Sequence, residues 1–487
     1  MSANARTVDS ASAYCDLKLF IGGEFVGGGG RTTQPVIDPA TGETLGELPH
    51  ATAADLDRAL QAAARSFPAW RALAPNVRGK ILRKGADLMR ERTERIASIA
   101  TREEGKTLAE ARWEVAMAAD ILDWYAEEGR RAYGRVLPQQ RPGVRMTVVK
   151  EPIGPVAAFA PWNFPLGNPA RKIGAALGAG CTCILKPAEE SPGSALEVAR
   201  ALVDAGLPAG VLSVVFGVPQ QVSAHLIGSP VIRAISFTGS IPVGKQLMKL
   251  AAEGMKRTTM ELGGHAPVLV FDDVDVDQVL DLSVGAKYRN AGQVCVSPTR
   301  YYVQEGIYRK FVEGFAARAK AWRVGNGLVE SSQMGPLAHP RRLSSMESLL
   351  GDARQRNATF QAGGDRIAGK GNFWQPTVLS EVSNDARIMN EEPFGPVAII
   401  NPFADFDGAI SQANRLPYGL AAYAFARSSR TVNLLGEQIE AGMIGINSYQ
   451  ISVPESPFGG VKESGHGSEE GIEGLDACLV TKFITES

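Results

Sequence analysis

Cys295 lies in Asn290-Ala291-Gly292-Gln293-Val294-Cys295-Val296-Ser297 and is a candidate nucleophile, since a thiolate attacks electrophilic carbon directly. A lone cysteine is more often a small buried hydrophobe. Two features favour chemistry here. Gly292 and Gln293 are poor core residues, and the segment falls between a helical and a strand pattern, where functional loops lie. Cys181-Thr182-Cys183 has the look of half a metal site, but a closed zinc site takes four ligands, usually two such pairs, and no second pair exists. Alternate residues of a strand share a face, so two core thiols are expected. The histidines (His50, His225, His265, His339, His466) never cluster at ligand spacing, and no metal is expected.

Four further segments carry polar groups where a ligand would meet them. Phe237-Thr238-Gly239-Ser240-Ile241-Pro242-Val243-Gly244 follows a strand and opens a helix, so its backbone N–H groups and helix dipole face a phosphate. It lacks the G-x-G-x-x-G fingerprint, and a plain strand-to-helix turn explains it nearly as well. Lys186-Pro187-Ala188-Glu189 follows the strand Cys183-Ile184-Leu185. Carboxyl ends of parallel strands are where such sheets bind ligands, and a Lys and a Glu there fit a sugar's hydroxyls or a surface salt bridge. Met260-Glu261-Leu262-Gly263-Gly264 sets a carboxylate before two glycines, and Glu391-Glu392-Pro393-Phe394-Gly395-Pro396 sets two acids before a turn. Spacing alone favours a surface residue beside a hinge for the first and a solvated corner for the second.

The elements that must position these residues follow from periodicity. Leu56, Leu60, Ala64 and Phe67 repeat at helical spacing after Thr52, a residue type that caps helices. Ile81, Leu88, Ile96 and Ile99 continue on a second, charge-rich helix, and a third runs from Leu108 past Tyr125. Short β-type runs then alternate with helices: Val156–Ala160, Cys183–Leu185, Leu212–Phe216 and Ala234–Phe237, and afresh Pro267–Phe271, Arg300–Val303, Val397–Ile400 and Ala421–Phe425. That alternation predicts parallel, doubly wound sheets in two α/β domains with a boundary near Leu262. The tail from Gly459 is too short to fold alone and is expected to pack on a partner.

Composition narrows the function. At ~150 residues per domain, 487 residues make about three units. The 51 Lys and Arg nearly cancel the 52 Asp and Glu, leaving a net charge of −1, so no basic field exists to grip nucleic acid. No apolar run approaches the ~20 residues of a membrane span. The opening residues Met1–Thr7 lack the apolar core of a secretory signal, and five cysteines make no disulfide framework. A cytoplasmic protein is expected.

Taken in order, Pro161-Trp162-Asn163-Phe164-Pro165, Lys186-Pro187-Ala188-Glu189, Phe237-Thr238-Gly239-Ser240, Glu261-Leu262-Gly263-Gly264, Gly292-Gln293-Val294-Cys295, Glu392-Pro393-Phe394-Gly395-Pro396 and Pro457-Phe458-Gly459-Gly460 resemble the NAD(P)-dependent aldehyde dehydrogenase superfamily, from about Leu19 to Lys482. The resemblance implies Cys295 as nucleophile. It implies Asn163, with the Cys295 backbone N–H, as oxyanion donors, and Glu261 as the base that activates water. For the cofactor it implies Lys186 and Glu189 at the adenosine ribose, Trp162, Gly239 and Ser240 at the pyrophosphate, and Glu392 with Phe394 at the nicotinamide end. A carboxylate at Glu189 accepts a 2′-hydroxyl and repels a 2′-phosphate, so NAD is expected, with NADP the poorer cofactor. A glutamate at 261 implies hydrolysis to the free acid rather than transfer to coenzyme A.

Within the family the chain is most similar to α-ketoglutaric semialdehyde (2,5-dioxovalerate) and succinate-semialdehyde dehydrogenases. The likeness rests on Ala126–Arg131, Met260–Pro267 and Arg289–Pro298. It implies that Arg171, Arg289 and Ser452 bind the substrate's far carboxylate, for which a guanidinium is suited. Two positions depart from the pattern. Ser297 stands where some relatives carry a second, redox-active cysteine, and Leu166-Gly167-Asn168-Pro169 differs in a stretch that faces the substrate. The expected architecture is an NAD-binding Rossmann-like domain (1–130 and 151–261), a catalytic α/β domain (262–458) and a small β oligomerisation arm (131–150 and 459–487) that joins a homodimer or homotetramer. The expected reaction is NAD-dependent oxidation of a carboxylated semialdehyde to a dicarboxylate. The alternatives are an enzyme for aromatic or plain aliphatic aldehydes, with both arginines structural, and a catalytically silent relative.

Overall fold

Reciprocal caps start two of the helices. The Thr52 hydroxyl accepts the Asp55 N–H (3.2 Å) while the Asp55 carboxylate accepts the Thr52 N–H (2.9 Å), and Ala53–Ala72 follows. Thr107 and Glu110 repeat the device ahead of Leu108–Glu128. The computed structural model, which describes residues 14–487, differs from the periodicity between these helices. Where one charge-rich helix is expected there are two, Pro75–Glu91 and Thr93–Glu104. Arg92, at φ −101° and ψ 15°, leaves helical geometry, and the Thr93 hydroxyl donates to the Arg90 carbonyl (2.7 Å). Apolar spacing does not register this break, because Leu82, Ala86 and Met89 before it and Ile96 after it are all buried.

The first large sheet runs Glu24–Val26, Leu19–Ile21, Leu212–Val214, Cys183–Lys186, Val156–Phe159, Ala234–Gly239, Arg257–Leu262, Gly465–His466. Its five central strands, from Leu212–Val214 to Arg257–Leu262, are mutually parallel. In chain order they stand 3-2-1-4-5, so the winding reverses between Val156–Phe159 and Ala234–Gly239, the switch point at which open α/β sheets bind ligands. Trp162 and Asn163 follow the carboxyl end of one of these strands, and Ser240 that of the other. The second sheet runs Thr359–Ala362, Thr377–Ser380, Val397–Phe403, Arg300–Gln304, Pro267–Val270, Ala421–Phe425, Met443–Ile446, parallel except at its first edge. Each sheet has its own buried apolar cluster, one drawn mainly from Cys15 to Leu262 and one from Ala266 to Phe458.

A third, three-stranded sheet pairs Arg145–Pro152 with Arg135–Leu137 on one side and Leu479–Glu486 on the other. Sequence grouped all of 459–487 with this arm, but the chain after Gly459 first returns to the body. Gly465–His466 adds an antiparallel edge to the first sheet beside Met260 and Glu261, and Gly471–Asp476 forms a short helix. Only then does the chain cross to the arm. No helix among the described residues is long and apolar enough to cross a membrane.

Candidate active site

Two loops meet between the sheets, and side chains at the start of the helix Leu108–Glu128 hold both. The helix Gly167–Ala179 opens with backbone N–H groups that its own turns leave unpaired. Glu114 Oε1 accepts two neighbouring N–H groups, from Leu166 (2.8 Å) and Gly167 (3.1 Å). Glu114 Oε2 accepts Lys106 Nζ (2.6 Å), which also donates to the Asn163 carbonyl (2.8 Å) and lies over the Phe164 ring. All of these side chains except Phe164 are buried. On the second loop Asn290, Ala291 and Gly292 have φ of 49°, 51° and 71°. Two non-glycine residues in the left-handed region cost ~1–3 kcal/mol each and persist only where the surroundings hold them. Here Glu110 Oε1 accepts the Asn290 N–H (2.7 Å), Asn290 Nδ2 donates to the Asn163 carbonyl (3.0 Å), and Gln293 Oε1 accepts the Ala338 N–H (3.0 Å). A side chain at Gly292 would run into the Gly395 carbonyl.

This arrangement brings Asn163 beside the loop that carries Cys295. Asn163 Nδ2 donates one N–H to the Gln293 carbonyl (3.1 Å), and its Oδ1 accepts from Asn168 Nδ2 (3.5 Å). The amide's second N–H has no partner among the described residues. Cys295 is half-buried and forms part of the wall of a cavity of about 760 Å³, together with Asn168, Arg171, Arg289, Ser297 and Ser452. Trp113, Phe164, Tyr423, Tyr449 and Phe458 supply aromatic faces.

The two arginines differ. Arg171 is buried and committed: Nε donates to Glu470 Oε1 (2.8 Å), one terminal nitrogen to Ser452 Oγ (3.1 Å) and the other to Asn168 Oδ1 (3.4 Å), with the guanidinium 4.3 Å from the Phe458 ring centre. Arg289 is half-buried between Trp113 and Phe164, 5.4 and 5.8 Å from their ring centres, and has no acidic partner among the described residues. Glu110 shares its cavity wall, but its oxygens serve Asn290 and Thr107.

Glu261 is buried on the strand Arg257–Leu262 with both carboxylate oxygens unpartnered. This is not the surface residue that spacing favoured. Burial first, then Glu469, drives its pKa well above the carboxylate range, while Lys172 and Arg171 oppose the shift. Lys172 Nζ joins Thr238 Oγ1 (2.7 Å), Ser236 Oγ (3.2 Å) and Glu469. Burial also pushes the Cys295 thiol up to about 12, with Arg171 opposing and Glu392 and Glu261 adding to the rise.

The residues expected at the cofactor flank the same switch point. Lys186 Nζ pairs with Glu189 Oε2 (2.6 Å), and Glu189 Oε1 accepts the Gly217 N–H (3.1 Å). Gly239 ends its strand where a side chain would strike the Phe237 ring. Ser240 starts the helix Ile241–Glu253 with its own side chain exposed and making no cap. The Trp162 ring meets His339 and Phe394 edge-on at 5.0 and 5.5 Å. Glu391 is the solvated corner, paired with Arg387, whereas Glu392 points inward to the Gly264 N–H (3.4 Å) and burial raises it to about 8.

The aldehyde dehydrogenase family model matches residues 25–484. The chain belongs to the aldehyde dehydrogenase family. It is 50% identical over 467 residues to the 4-(hydroxymethyl)benzenesulfonate dehydrogenase TsaD1 of Comamonas testosteroni, covering 96% of this chain and 97% of that one. It is 42% identical, with the same coverage, to the succinate-semialdehyde dehydrogenase [NADP(+)] GabD of Escherichia coli K12. The crystal structure of succinate-semialdehyde dehydrogenase from Burkholderia pseudomallei superposes with a TM-score of 0.95 at 42% identity, covering 98% of this chain and 99% of that one. The protein is therefore an oxidoreductase with the aldehyde dehydrogenase fold, using NAD(P).

Sequence reasoning missed the groups that hold this aldehyde dehydrogenase's site together: Lys106, Glu110 and Glu114 on one side, Lys172, Glu469 and Glu470 on the other. The adjacent pairs Arg171-Lys172 and Glu469-Glu470 are equal and opposite, which is a signal, but nothing in their spacing says that they meet. Ser452, expected beside Arg171 from the resemblance, lies within hydrogen-bond reach of it. With the thiol pushed up by burial, iodoacetamide alkylation of Cys295 in the cofactor-free enzyme is expected to accelerate ~10-fold per pH unit from pH 7 to 9, as followed by peptide mass spectrometry. A plateau below pH 8 would show instead a thiolate already stabilised.

Proposed function

We propose that the enzyme oxidises aldehydes that carry an anionic group remote from the reacting carbon, a carboxylate or a sulfonate, to the corresponding acids. The observation that carries this reading is Arg289, a cation without an acid partner among the described residues, in the wall of the cavity that holds Cys295. An arginine stacked on aromatic rings keeps its planar fork free for a carboxylate or sulfonate. Arg171 is neutralised by Glu470, and three of its five N–H groups are used, so it offers its remaining N–H groups more than net charge, while the Ser452 hydroxyl is itself donated to Glu470 (3.3 Å). Relatives named for succinate semialdehyde and for 4-(hydroxymethyl)benzenesulfonate support both anion types. The oxidised form of the latter's hydroxymethyl group is an aromatic aldehyde, which the aromatic lining suits.

In this reading the Cys295 thiolate adds to the carbonyl carbon, and the oxyanion is held by the free N–H of Asn163 and the backbone N–H of Cys295. The bound cofactor's contribution is to accept the hydride that leaves the thiohemiacetal carbon. The thioester that remains is opened by water whose proton passes to Glu261, releasing the acid and the thiol; no coenzyme A is required. Lys186 and Glu189 would hold the adenosine ribose, Ser240 with the exposed helix start the pyrophosphate, and Glu392 with Phe394 the nicotinamide end. The cofactor unit comprises 1–130 with 151–261, and 262–458 is the catalytic unit, a division supported by the two apolar clusters. Tyr133, Val136, Phe483 and Ile484 on the arm are exposed, which supports pairing of arms in a homodimer or homotetramer. Five free thiols suit the reducing cytoplasm.

The rival reading, an enzyme for uncharged aromatic or aliphatic aldehydes, draws on the commitment of Arg171 to Glu470, which makes that arginine structural. Arg289→Ala separates the two. It is expected to cut kcat/KM for succinate semialdehyde or 4-sulfobenzaldehyde by roughly 30-fold or more, the loss of a charge-assisted contact worth ~2–5 kcal/mol, and to change benzaldehyde far less. Equal losses on both substrates would favour the rival. For the cofactor, wild type is expected to prefer NAD over NADP, and Glu189→Gln to lower that preference about 10-fold, read as the ratio of kcat/KM values. An unchanged ratio would remove Glu189 from cofactor selection.

A further inference from the structure

Ser297, the position where some relatives carry a second cysteine, is not idle. It follows Cys295 by two residues, in a turn closed by the Ser297 N–H donating to the Val294 carbonyl (2.9 Å), and it shares the cavity wall with the thiol. Its Oγ accepts Lys287 Nζ at 2.9 Å. Lys287, in the last turn of the helix Val276–Tyr288, is 1% exposed. Among the described residues it meets no carboxylate, only Ser297 Oγ and, at 3.4 Å, Thr299 Oγ1. A buried amine with only hydroxyl partners is costly to keep and marks a functional position more often than a structural one. Burial lowers its pKa to about 7, with Glu392 opposing. Protonated, it donates to the serine oxygen.

The bookkeeping of that hydroxyl is decisive. A serine O–H has one proton and two lone pairs. The protonated Lys287 takes a lone pair, and no described residue accepts the proton, so the donor is left over on a residue of the cavity wall. Two residues of chain span at most ~7 Å, so a carbonyl carbon bonded to Cys295 brings its own neighbouring carbons within reach of that proton.

We propose that Ser297, held by Lys287, is a specificity-determining subsite for an oxygen substituent on the carbon next to the aldehyde, so that 2-hydroxy or 2-oxo aldehydes are favoured over their deoxy counterparts. The subsite rests on the assignment of Cys295 as nucleophile. It concerns the carbon next to the aldehyde and makes no use of Arg289. A site built to hydrogen-bond a substrate oxygen rejects the analogue that lacks it, because its own polar group is then left unpaired.

The test compares kcat/KM for 2-hydroxypropanal and propanal with NAD in wild type, Ser297→Ala, Ser297→Thr and Lys287→Met, each variant first checked by near-UV circular dichroism and melting temperature. Wild type is expected to favour the hydroxylated aldehyde at least 10-fold. Ser297→Ala brings the ratio to about one, Ser297→Thr keeps most of it, and Lys287→Met lies between them. A wild-type ratio of one or less, or a ratio that survives in Ser297→Ala, overturns the proposal while leaving the cysteine mechanism intact. Turnover that persists in Cys295→Ala would overturn the nucleophile assignment itself. Should Lys287→Met fail to fold, the Ser297 pair alone decides.

Discussion

One buried ion pair fixes the loop of Asn163 against the approach to Cys295. Lys106 and Glu114 sit on and just before the helix Leu108–Glu128, yet between them they bind the Asn163 carbonyl and the start of the helix Gly167–Ala179. Glu110, one turn away, binds the Asn290 N–H and thereby the strained approach to Cys295. Taking such charges out of water costs several kcal/mol per ion and is offset only where every remaining donor and acceptor is matched. Here Glu114 is fully matched by one cation and two backbone N–H groups. The pair is weak evidence for stability and strong evidence for alignment, because the geometry that satisfies the charges is also the one that sets Asn163 beside the Cys295 loop.

A second charge network does comparable work from the far end of the chain. Glu469 and Glu470, close to the C-terminus, reach Lys172 and Arg171 on the helix that Glu114 caps. Glu261 lies beside this network with no partner of its own. Its environment holds two opposing influences, burial and Glu469 raising the pKa while Lys172 and Arg171 lower it. The rise prevails, so this carboxyl holds a proton more tightly than a free one, and Lys172 and Arg171 are the groups that favour giving it up. The tail therefore serves the site before it serves the arm, which explains why Gly465–His466 pairs beside Glu261 ahead of the crossing to Leu479–Glu486.

The helices and parallel strands were legible in the sequence because burial writes a period into apolar residues, and the Thr52 cap was legible because few residue types cap. The break at Arg92 left no mark, since both flanking helices bury one continuous stripe. Cys295, Asn163 and Glu261 are singled out by the order of motifs rather than by spacing, which for Glu261 pointed to the surface where the structure buries it. The groups that hold the site were not found at all. Lys106, Glu114, Glu469 and Lys287 are charged residues that composition assigns to the solvent, and only long-range packing makes them interior. The same holds for the difference between Arg171 and Arg289, equivalent in type and distinguished solely by whether a glutamate some 300 residues away happens to arrive.

The central claim, that oxidation runs through an acyl group on Cys295 that Glu261 helps water to remove, is tested most directly by trapping. Glu261→Gln keeps the shape of the side chain and removes the base. Mixed with NAD and succinate semialdehyde, acid-quenched within seconds and digested with trypsin, it should yield the peptide Asn290–Arg300 carrying the succinyl mass on Cys295, together with about one NADH per active site and little further turnover. Steady turnover at the wild-type rate, or an NADH burst with Cys295 unmodified, would contradict the account.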